Sequence, residues 1–124
     1  NIPVSNSHMM PFIRGKTLIV VDPVRTSLAR DADLHLQIRP RTDFYLAILL
    51  ARFIIMEDSQ NNEWLDKFGP DFEEFYDFTR SFRIKAILEH IGARLDDMGD
   101  MLRYMIGRKV VFIVGTGVQK YTIG

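Results

Sequence analysis

An unbroken aliphatic run that stops at a proline constrains this chain more than any other feature. Residues 17–21 read Thr-Leu-Ile-Val-Val, and Asp22-Pro23 follows directly. A run of β-branched and aliphatic residues without polar alternation is typical of a strand in a parallel sheet that is covered on both faces. Proline ends such a strand because it has no amide hydrogen for the ladder. We therefore predict a strand over 17–21, with Asp22 as N-cap and Pro23 opening a short helix over 24–29.

A second strand and a second proline turn follow at once. Residues 34–38 alternate between apolar and polar side chains, which predicts a strand with one apolar face. The strand ends at a turn around Pro40, and Asp43 stands as a capping residue before a helix over 44–56. That helix is apolar nearly all round, so we predict that it is the buried centre of the domain. Ligands of open α/β sheets bind at the carboxyl ends of strands, so topology predicts a site where the two turns lie side by side.

A third buried strand is predicted over Lys109–Val114, and it runs into Gly115-Thr116-Gly117. Between the second and third strands, apolar residues at helical spacing predict four more helices, near 63–68, 71–82, 84–91 and 96–105. Right-handed crossovers between parallel strands put helices on both faces of a sheet. We therefore predict a three-layer, Rossmann-like α/β fold over residues 1–124, as a single domain with a short parallel sheet of order 2-1-3.

One predicted helix carries an aromatic stripe. Phe72, Phe75, Phe78 and Phe82 lie three or four residues apart. A platform for stacking bases needs basic residues interleaved with the rings along a sheet or groove, and this stripe lacks them. We predict that the stripe packs in the core.

The composition excludes several kinds of function. Sixteen basic and sixteen acidic residues cancel, so the chain carries no overall charge that would favour nucleic acid or an anionic membrane. The chain has no cysteine, which excludes disulfides and thiolate ligation of zinc or of an iron–sulfur cluster within it. The longest apolar run, 45–56, contains Arg52 and is too short to span a bilayer. We expect a cytoplasmic protein that does not insert directly into a membrane.

Each polar group at the turns has two interpretations. Asp22 is either a helix cap or a carboxylate that accepts hydrogen bonds from the donor edge of a guanine or from a ribose hydroxyl. Arg25, Arg39 and Arg41 are either solvated surface arginines or bidentate phosphate ligands. The turn at 115–117 is either a plain turn or a place where backbone amides approach a phosphate.

No catalytic residue and no metal site is predicted. Asp31, Asp33 and His35 share one strand face by alternation, but metal ligation would need a fourth partner and a protected site. The three histidines of the chain show no ligand spacing, and no serine or histidine pairing indicates a nucleophile.

The residues of the two turns also resemble a known family. The matching positions are, in order, Val21-Asp22-Pro23, Arg25-Thr26, Ala29, Ala32-Asp33, Pro40 and Thr42-Asp43. This pattern resembles the pterin-dinucleotide-binding α/β region of the molybdopterin oxidoreductases. That superfamily includes formate dehydrogenases, dimethyl sulfoxide reductase and the large iron–sulfur subunit of respiratory NADH:quinone oxidoreductase. Val24 stands where the family usually has arginine after Asp-Pro, and Arg41 stands where it usually has glycine after the second proline.

The resemblance implies a role in a larger enzyme. The chain is then an internal fragment of an oxidoreductase subunit, with the rest of that subunit and other oxidoreductase subunits as partners, at the cytoplasmic face of the inner membrane. The implied cofactor of the intact enzyme is molybdopterin guanine dinucleotide, with iron–sulfur clusters elsewhere in the parent subunit. The electron-transfer chemistry belongs to the metal rather than to this chain. The implied cofactor-binding residues are Asn1, Ser5, Val21, Asp22, Arg25, Pro40, Arg41, Asp43, Gly115, Thr116 and Gly117.

Two alternatives stay open on the sequence alone. The chain is similar to the large subunit of NADH:quinone oxidoreductase, where this domain is a structural remnant without cofactor. Arg41 in place of glycine suits that alternative, because glycine lets backbone approach a nucleotide closely. The second alternative is a non-enzymatic interaction module, which is favoured if Val24 and Arg41 fill the cleft at the strand ends.

Overall fold

A computed structural model describes residues 13–115 of the chain, without the side chain of Phe68. The architecture is mixed α/β, with mostly helices and a small parallel sheet. In chain order the elements are β1 (Ile19–Val21), α1 (Ser27–Asp31), β2 (Leu34–Leu36), α2 (Asp43–Met56), α3 (Asn62–Phe68), α4 (Phe72–Arg80), α5 (Ile84–Ile91) and α6 (Leu95–Met105). Within 13–115 no helix has both the length and the apolar character needed to cross a bilayer.

The first two predicted strands form and pair as expected. β1 and β2 are parallel, with Ile19 opposite Leu34 and Val21 opposite Leu36. Both strands are shorter than predicted, but a polar side chain extends the pairing at their start. The Asp33 carboxylate accepts a hydrogen bond from the Leu18 amide at 2.7 Å, and the Asp33 amide donates to the Leu18 carbonyl at 2.9 Å. Because the strands are parallel, their carboxyl ends lie at one edge of the sheet.

Helix α2 is the centre of the core, as its all-round apolar sequence predicts. Leu49 is fully buried, and the other buried residues of the helix are Leu46, Ile48 and Leu50. They form one cluster with apolar side chains of β2, α5 and α6. A helix that is apolar nearly all round is stabilised by burial, and α4, α5 and α6 pack against α2.

The prediction for the segment after β1 was wrong in detail. The helix begins at Ser27 rather than Val24, and its N-cap is Thr26, whose Oγ1 accepts a hydrogen bond from the Ala29 amide at 3.2 Å. Asp22 instead accepts a hydrogen bond from the Val24 amide at 2.8 Å. This is the two-residue turn that aspartate side chains favour. The carboxylate is therefore used in a turn at the strand end rather than in a helix cap.

The predicted third strand does not form within the described residues. Residues 109–115 have no strand pairing, and Val111, Phe112 and Ile113 are 85%, 66% and 66% exposed. The sheet therefore has two strands there, and the order 2-1-3 is not confirmed. An apolar pattern indicates that a segment favours burial, but it does not specify which surface covers it.

The aromatic stripe is only partly in the core, which corrects the prediction. Phe82 packs against the core cluster, whereas Phe75 and Phe78 are 45% and 44% exposed. Helix α4 packs on α2 along one side only, so rings at successive turns of the stripe differ in burial. This leaves apolar surface on α4.

Candidate functional site

The turns after β1 and β2 are joined by hydrogen bonds at the carboxyl edge of the sheet. The Asp22 amide donates to the Leu36 carbonyl at 3.2 Å, which continues the ladder beyond β1. His35 Nε2 donates to the Asp22 carbonyl at 2.9 Å, and Gln37 Nε2 donates to the Pro23 carbonyl at 2.9 Å. Polar side chains of the second strand thus fix the backbone of the first turn. We call residues 21–25 and 39–43 together the rim.

Sequence reasoning did not assign His35 and Gln37 a role at the rim. The strand alternation does place both on the face opposite the apolar residues. The alternation does not show which groups these side chains contact, because their partners are carbonyls of the turn after β1. Their described contacts hold that turn in place.

Asp22 lies at the rim with part of its carboxylate available. The residue is half-buried, and its Oδ1 accepts the hydrogen bond from the Val24 amide. Within residues 13–115 no donor is bonded to Oδ2. A carboxylate oxygen fixed by a turn on one side and open on the other is suited to accept a hydrogen bond from a ligand.

Arg39 has a structural role that neither interpretation of the sequence included. Its Nη1 donates to the Glu89 carbonyl at 2.9 Å, and its backbone amide donates to the Ile91 carbonyl at 2.8 Å. A guanidinium at the last carbonyls of a helix is favoured by the helix dipole. The helix ends at Gly92 with φ +77°, where an added Cβ would lie 3.3 Å from Arg39 Cγ. Arg39 therefore anchors the second turn to α5.

Arg41 occupies a backbone conformation that favours glycine. Its φ is +65°, in the left-handed region. The next residue, Thr42, is buried, and its Oγ1 donates to the Arg39 carbonyl at 2.6 Å. This bond, together with the anchoring of Arg39 on α5, fixes the turn. The position where the resembling family has glycine is thus one whose geometry calls for glycine.

Replacing Arg41 with glycine is expected to raise the free energy of unfolding by about 1 kcal/mol. A residue other than glycine in the left-handed conformation costs roughly 1–2 kcal/mol, and part of the gain is offset because glycine gives the unfolded chain more conformational freedom. Urea denaturation of the two proteins measures the difference. The matched control is Arg30→Gly, at an exposed position in α1, which we expect to destabilise the chain. A loss of stability in Arg41→Gly would contradict the assigned backbone conformation.

Asp43 is the first residue of α2 rather than its cap, which shifts the prediction by one position. Thr42 is the N-cap, and Asp43 is half-buried in the first turn, where the helix dipole favours an acidic side chain. Arg25 and Arg41 are exposed, and so is Pro40. The structure therefore places six predicted site residues within the two segments of the rim: Val21, Asp22, Arg25, Pro40, Arg41 and Asp43.

The other predicted site residues are not joined to the rim by the described contacts. Gly115 is exposed, with open space where a Cβ would stand. Asn1, Ser5, Thr116 and Gly117 lie outside the described residues. Over the part of the chain that the structure describes, no group of three histidine, aspartate or glutamate side chains is arranged to hold a metal ion.

Comparison with known proteins identifies relatives of one kind. The assimilatory nitrate reductase catalytic subunit of Bacillus subtilis is 33% identical over 103 residues, which cover 79% of this chain and 14% of that protein. Acetylene hydratase of Syntrophotalea acetylenica is 33% identical over 113 residues, which cover 86% of this chain and 15% of that protein. The solved structure of acetylene hydratase from Pelobacter acetylenicus matches with a TM-score of 0.69 and 28% identity, over 77% of this chain and 13% of that one. No family model matches the chain.

The fold of the chain is thus shared with a region of that larger acetylene hydratase structure. The chain is homologous to the molybdopterin oxidoreductases, the superfamily that its sequence resembles. It spans about one seventh of the length of the relatives named here.

Proposed function

We propose that this chain is an internal pterin-dinucleotide-binding domain of a larger molybdopterin oxidoreductase subunit. The observation that carries the proposal is the parallel pairing of β1 and β2, which puts the Asp22 turn and the 39–43 turn at one edge of the sheet. Ligand sites of open α/β sheets form at such an edge. Residues 1–124 would act as one domain, whose partners are the remainder of the same subunit and other oxidoreductase subunits.

The residues of the rim fit the nucleotide end of such a cofactor. The open Oδ2 of Asp22 matches the donor edge of guanine or a ribose hydroxyl, and the exposed guanidinium groups of Arg25 and Arg41 match phosphates. Arg39 is less suited to this set because its Nη1 is bonded to α5. When bound, the cofactor would supply the redox chemistry through its metal. The role of this chain would be to bind and orient the guanine dinucleotide.

We also propose that residues 109–114 become the third strand of the sheet, in the order 2-1-3, within the larger subunit. Arg108 Nη1 donates to Thr17 Oγ1 at 3.2 Å, so the segment starts beside the beginning of β1 and can run parallel to it. A strand there would bury the exposed Val111, Phe112 and Ile113 and would bring Gly115 toward the rim. Hydrogen exchange of the larger subunit tests this: we expect slow amides over 110–114, and fast exchange there would contradict the third strand.

The two alternatives gain no support from the structure or the relatives. Val24 is 64% exposed and Arg41 is exposed, so neither side chain is buried in the cleft, the arrangement that would favour an interaction module. The relatives named above are a nitrate reductase catalytic subunit and an acetylene hydratase, which do not favour a cofactor-free remnant of NADH:quinone oxidoreductase. Iron–sulfur clusters, if the subunit holds them, would be ligated outside this cysteine-free chain.

Cofactor content of the larger subunit tests the proposed role. We expect Asp22→Ala to lower the affinity for the guanine dinucleotide by about tenfold to a hundredfold, since a hydrogen bond to a charged group contributes about 1.5–3 kcal/mol. Molybdenum or tungsten by elemental analysis, and released guanine nucleotide by chromatography, measure the occupancy. The matched control is Asp31→Ala, an exposed aspartate at the end of α1. Equal occupancy in wild type and Asp22→Ala would contradict a contact between Asp22 and the cofactor.

A further inference from the structure

Two side chains near the end of β2 hold the carbonyls of the turn that follows β1. His35 Nε2 donates to the Asp22 carbonyl, and Gln37 Nε2 donates to the Pro23 carbonyl, each at 2.9 Å. The two donors stand at alternate positions of the chain, so they lie on one face of the strand. That face therefore determines how the first turn of the rim is held.

Together with one backbone bond, these contacts hold three consecutive peptide groups of the turn. A peptide group is planar, so a hydrogen bond to one of its polar atoms restrains the whole group. The group that enters Asp22 is held through its amide, which donates to the Leu36 carbonyl at 3.2 Å. His35 holds the next group, and Gln37 holds the one after it. Since the proline ring also fixes φ of Pro23, little rotational freedom remains in this turn.

The same peptide groups hold the Asp22 carboxylate. Its Oδ1 accepts a hydrogen bond from the Val24 amide at 2.8 Å. That amide belongs to the same planar group as the Pro23 carbonyl, to which Gln37 donates. Gln37 therefore fixes the amide that holds Oδ1, and His35 fixes the peptide group that joins Asp22 to Pro23. The direction in which the second oxygen, Oδ2, points is thus set from the second strand.

The need to satisfy buried polar groups does not account for these two bonds. Gln37 is exposed and His35 is half-buried. A carbonyl near the surface can bond to water in place of a side chain with little loss of free energy. Each bond should therefore contribute little to the stability of the fold. Its larger effect is to restrict the turn to one conformation.

We propose that His35 and Gln37 are positioning residues, which orient the Asp22 carboxylate toward a ligand at the rim. The ligand is a nucleotide whose base edge or ribose hydroxyl donates to Oδ2. An acceptor that is already held in place loses less conformational entropy when the ligand binds, so the affinity is higher. His35 and Gln37 act through Asp22 and need not contact the ligand. The inference rests on the proposed function, because it takes the ligand to be a nucleotide.

Guanosine diphosphate is the probe, and its affinity for the 124-residue chain is measured by titration calorimetry. We expect His35→Leu and Gln37→Leu each to weaken binding about threefold to tenfold, the effect of losing one net hydrogen bond. His35→Gln retains an Nε2 donor and is expected to recover part of the affinity. The matched control is Asn62→Leu, which removes a side-chain amide from an exposed position on α3 and should leave the affinity unchanged. Circular dichroism checks that every variant is folded.

A double variant tests whether Gln37 acts through Asp22. Asp22→Asn keeps an Oδ1 acceptor for the Val24 amide, and so keeps the turn, but it replaces Oδ2 with a donor. When Gln37→Leu is added to Asp22→Asn, we expect a further loss of affinity below about twofold, because the contact that Gln37 positions is already lost. A further loss as large as that in the wild-type background would overturn a role through Asp22.

The amide signal of Val24, measured by nuclear magnetic resonance without ligand, separates this inference from the proposed function. His35→Leu and Gln37→Leu are expected to shift that signal and to speed its exchange with solvent, whereas Asn62→Leu should not. An unchanged Val24 signal in both variants would overturn the positioning role, and so would equal affinity for guanosine diphosphate in wild type and both variants. If the wild-type chain does not bind guanosine diphosphate, the proposed function is contradicted, and the Val24 signal alone decides whether His35 and Gln37 position Asp22.

Discussion

Replacing Leu49 with alanine is expected to lower the free energy of unfolding by about 3–5 kcal/mol. Leu49 is fully buried at the middle of α2 and belongs to the core cluster that joins β2, α5 and α6. The loss combines the transfer free energy of the removed methyl groups with a cavity that a rigid, close-packed core does not refill. Domains of this kind are stable by about 5–15 kcal/mol in total, so the variant loses a large part of its stability. Thermal and urea denaturation followed by circular dichroism measure the change.

Leu95→Ala is the matched control for this substitution. Leu95 begins α6 and is 59% exposed, so the same chemical change should alter stability by less than about 0.5 kcal/mol. Equal effects of Leu49→Ala and Leu95→Ala would contradict the placement of α2 at the centre of the fold.

Replacing Arg52 with methionine is expected to destabilise the chain by about 2–3 kcal/mol. Arg52 is half-buried on α2, and its Nη1 donates to the Thr79 and Phe82 carbonyls, each at 3.2 Å. These carbonyls lie at the carboxyl end of α4 and in the turn that follows it, where a cation is favoured by the helix dipole. Methionine keeps much of the apolar stem and removes the guanidinium, so the loss reports on the hydrogen bonds.

Local hydrogen exchange distinguishes this effect from a general loss of packing. In Arg52→Met we expect faster exchange of amides near the end of α4 and in the turn over 79–83. Arg30→Met, at an exposed arginine of α1, should leave both stability and exchange unchanged. Exchange that rises uniformly over the chain in Arg52→Met would contradict a local anchoring role.

The sequence predicts a helix or a strand correctly where the hydrophobic pattern alone determines it. The apolar run of α2 predicted a helix and the aliphatic run before Asp22 predicted a strand, and both were correct in type, although β1 is only half-buried. The predictions that failed depended on which side chain caps a helix or on contacts with distant segments of the chain. Thr26 caps the helix while the Asp22 carboxylate bonds to the Val24 amide, and residues 109–114 are exposed and have no strand partner among the described residues.

For the candidate site, too, the sequence predicted the position of the turns but not their long-range contacts. Two prolines after two strands predict neighbouring turns, and the parallel pairing places both turns at one edge of the sheet. The sequence does not show which arginine is available, because that depends on a long-range contact. Arg39 is bonded to α5, some fifty residues away, whereas Arg25 and Arg41 are exposed. Likewise, Arg52 interrupts an apolar run in the sequence, but its partners at 79 and 82 are visible only in the fold.

Nuclear magnetic resonance of the isotope-labelled chain, titrated with guanosine diphosphate, tests the nucleotide site most directly. We expect the amide signals of the non-proline residues in 21–25 and 39–43 to shift together and saturate, while those of α3 and α4 stay in place. Signals that do not respond at either turn, or that respond at only one of them, would contradict a shared nucleotide site at the ends of β1 and β2.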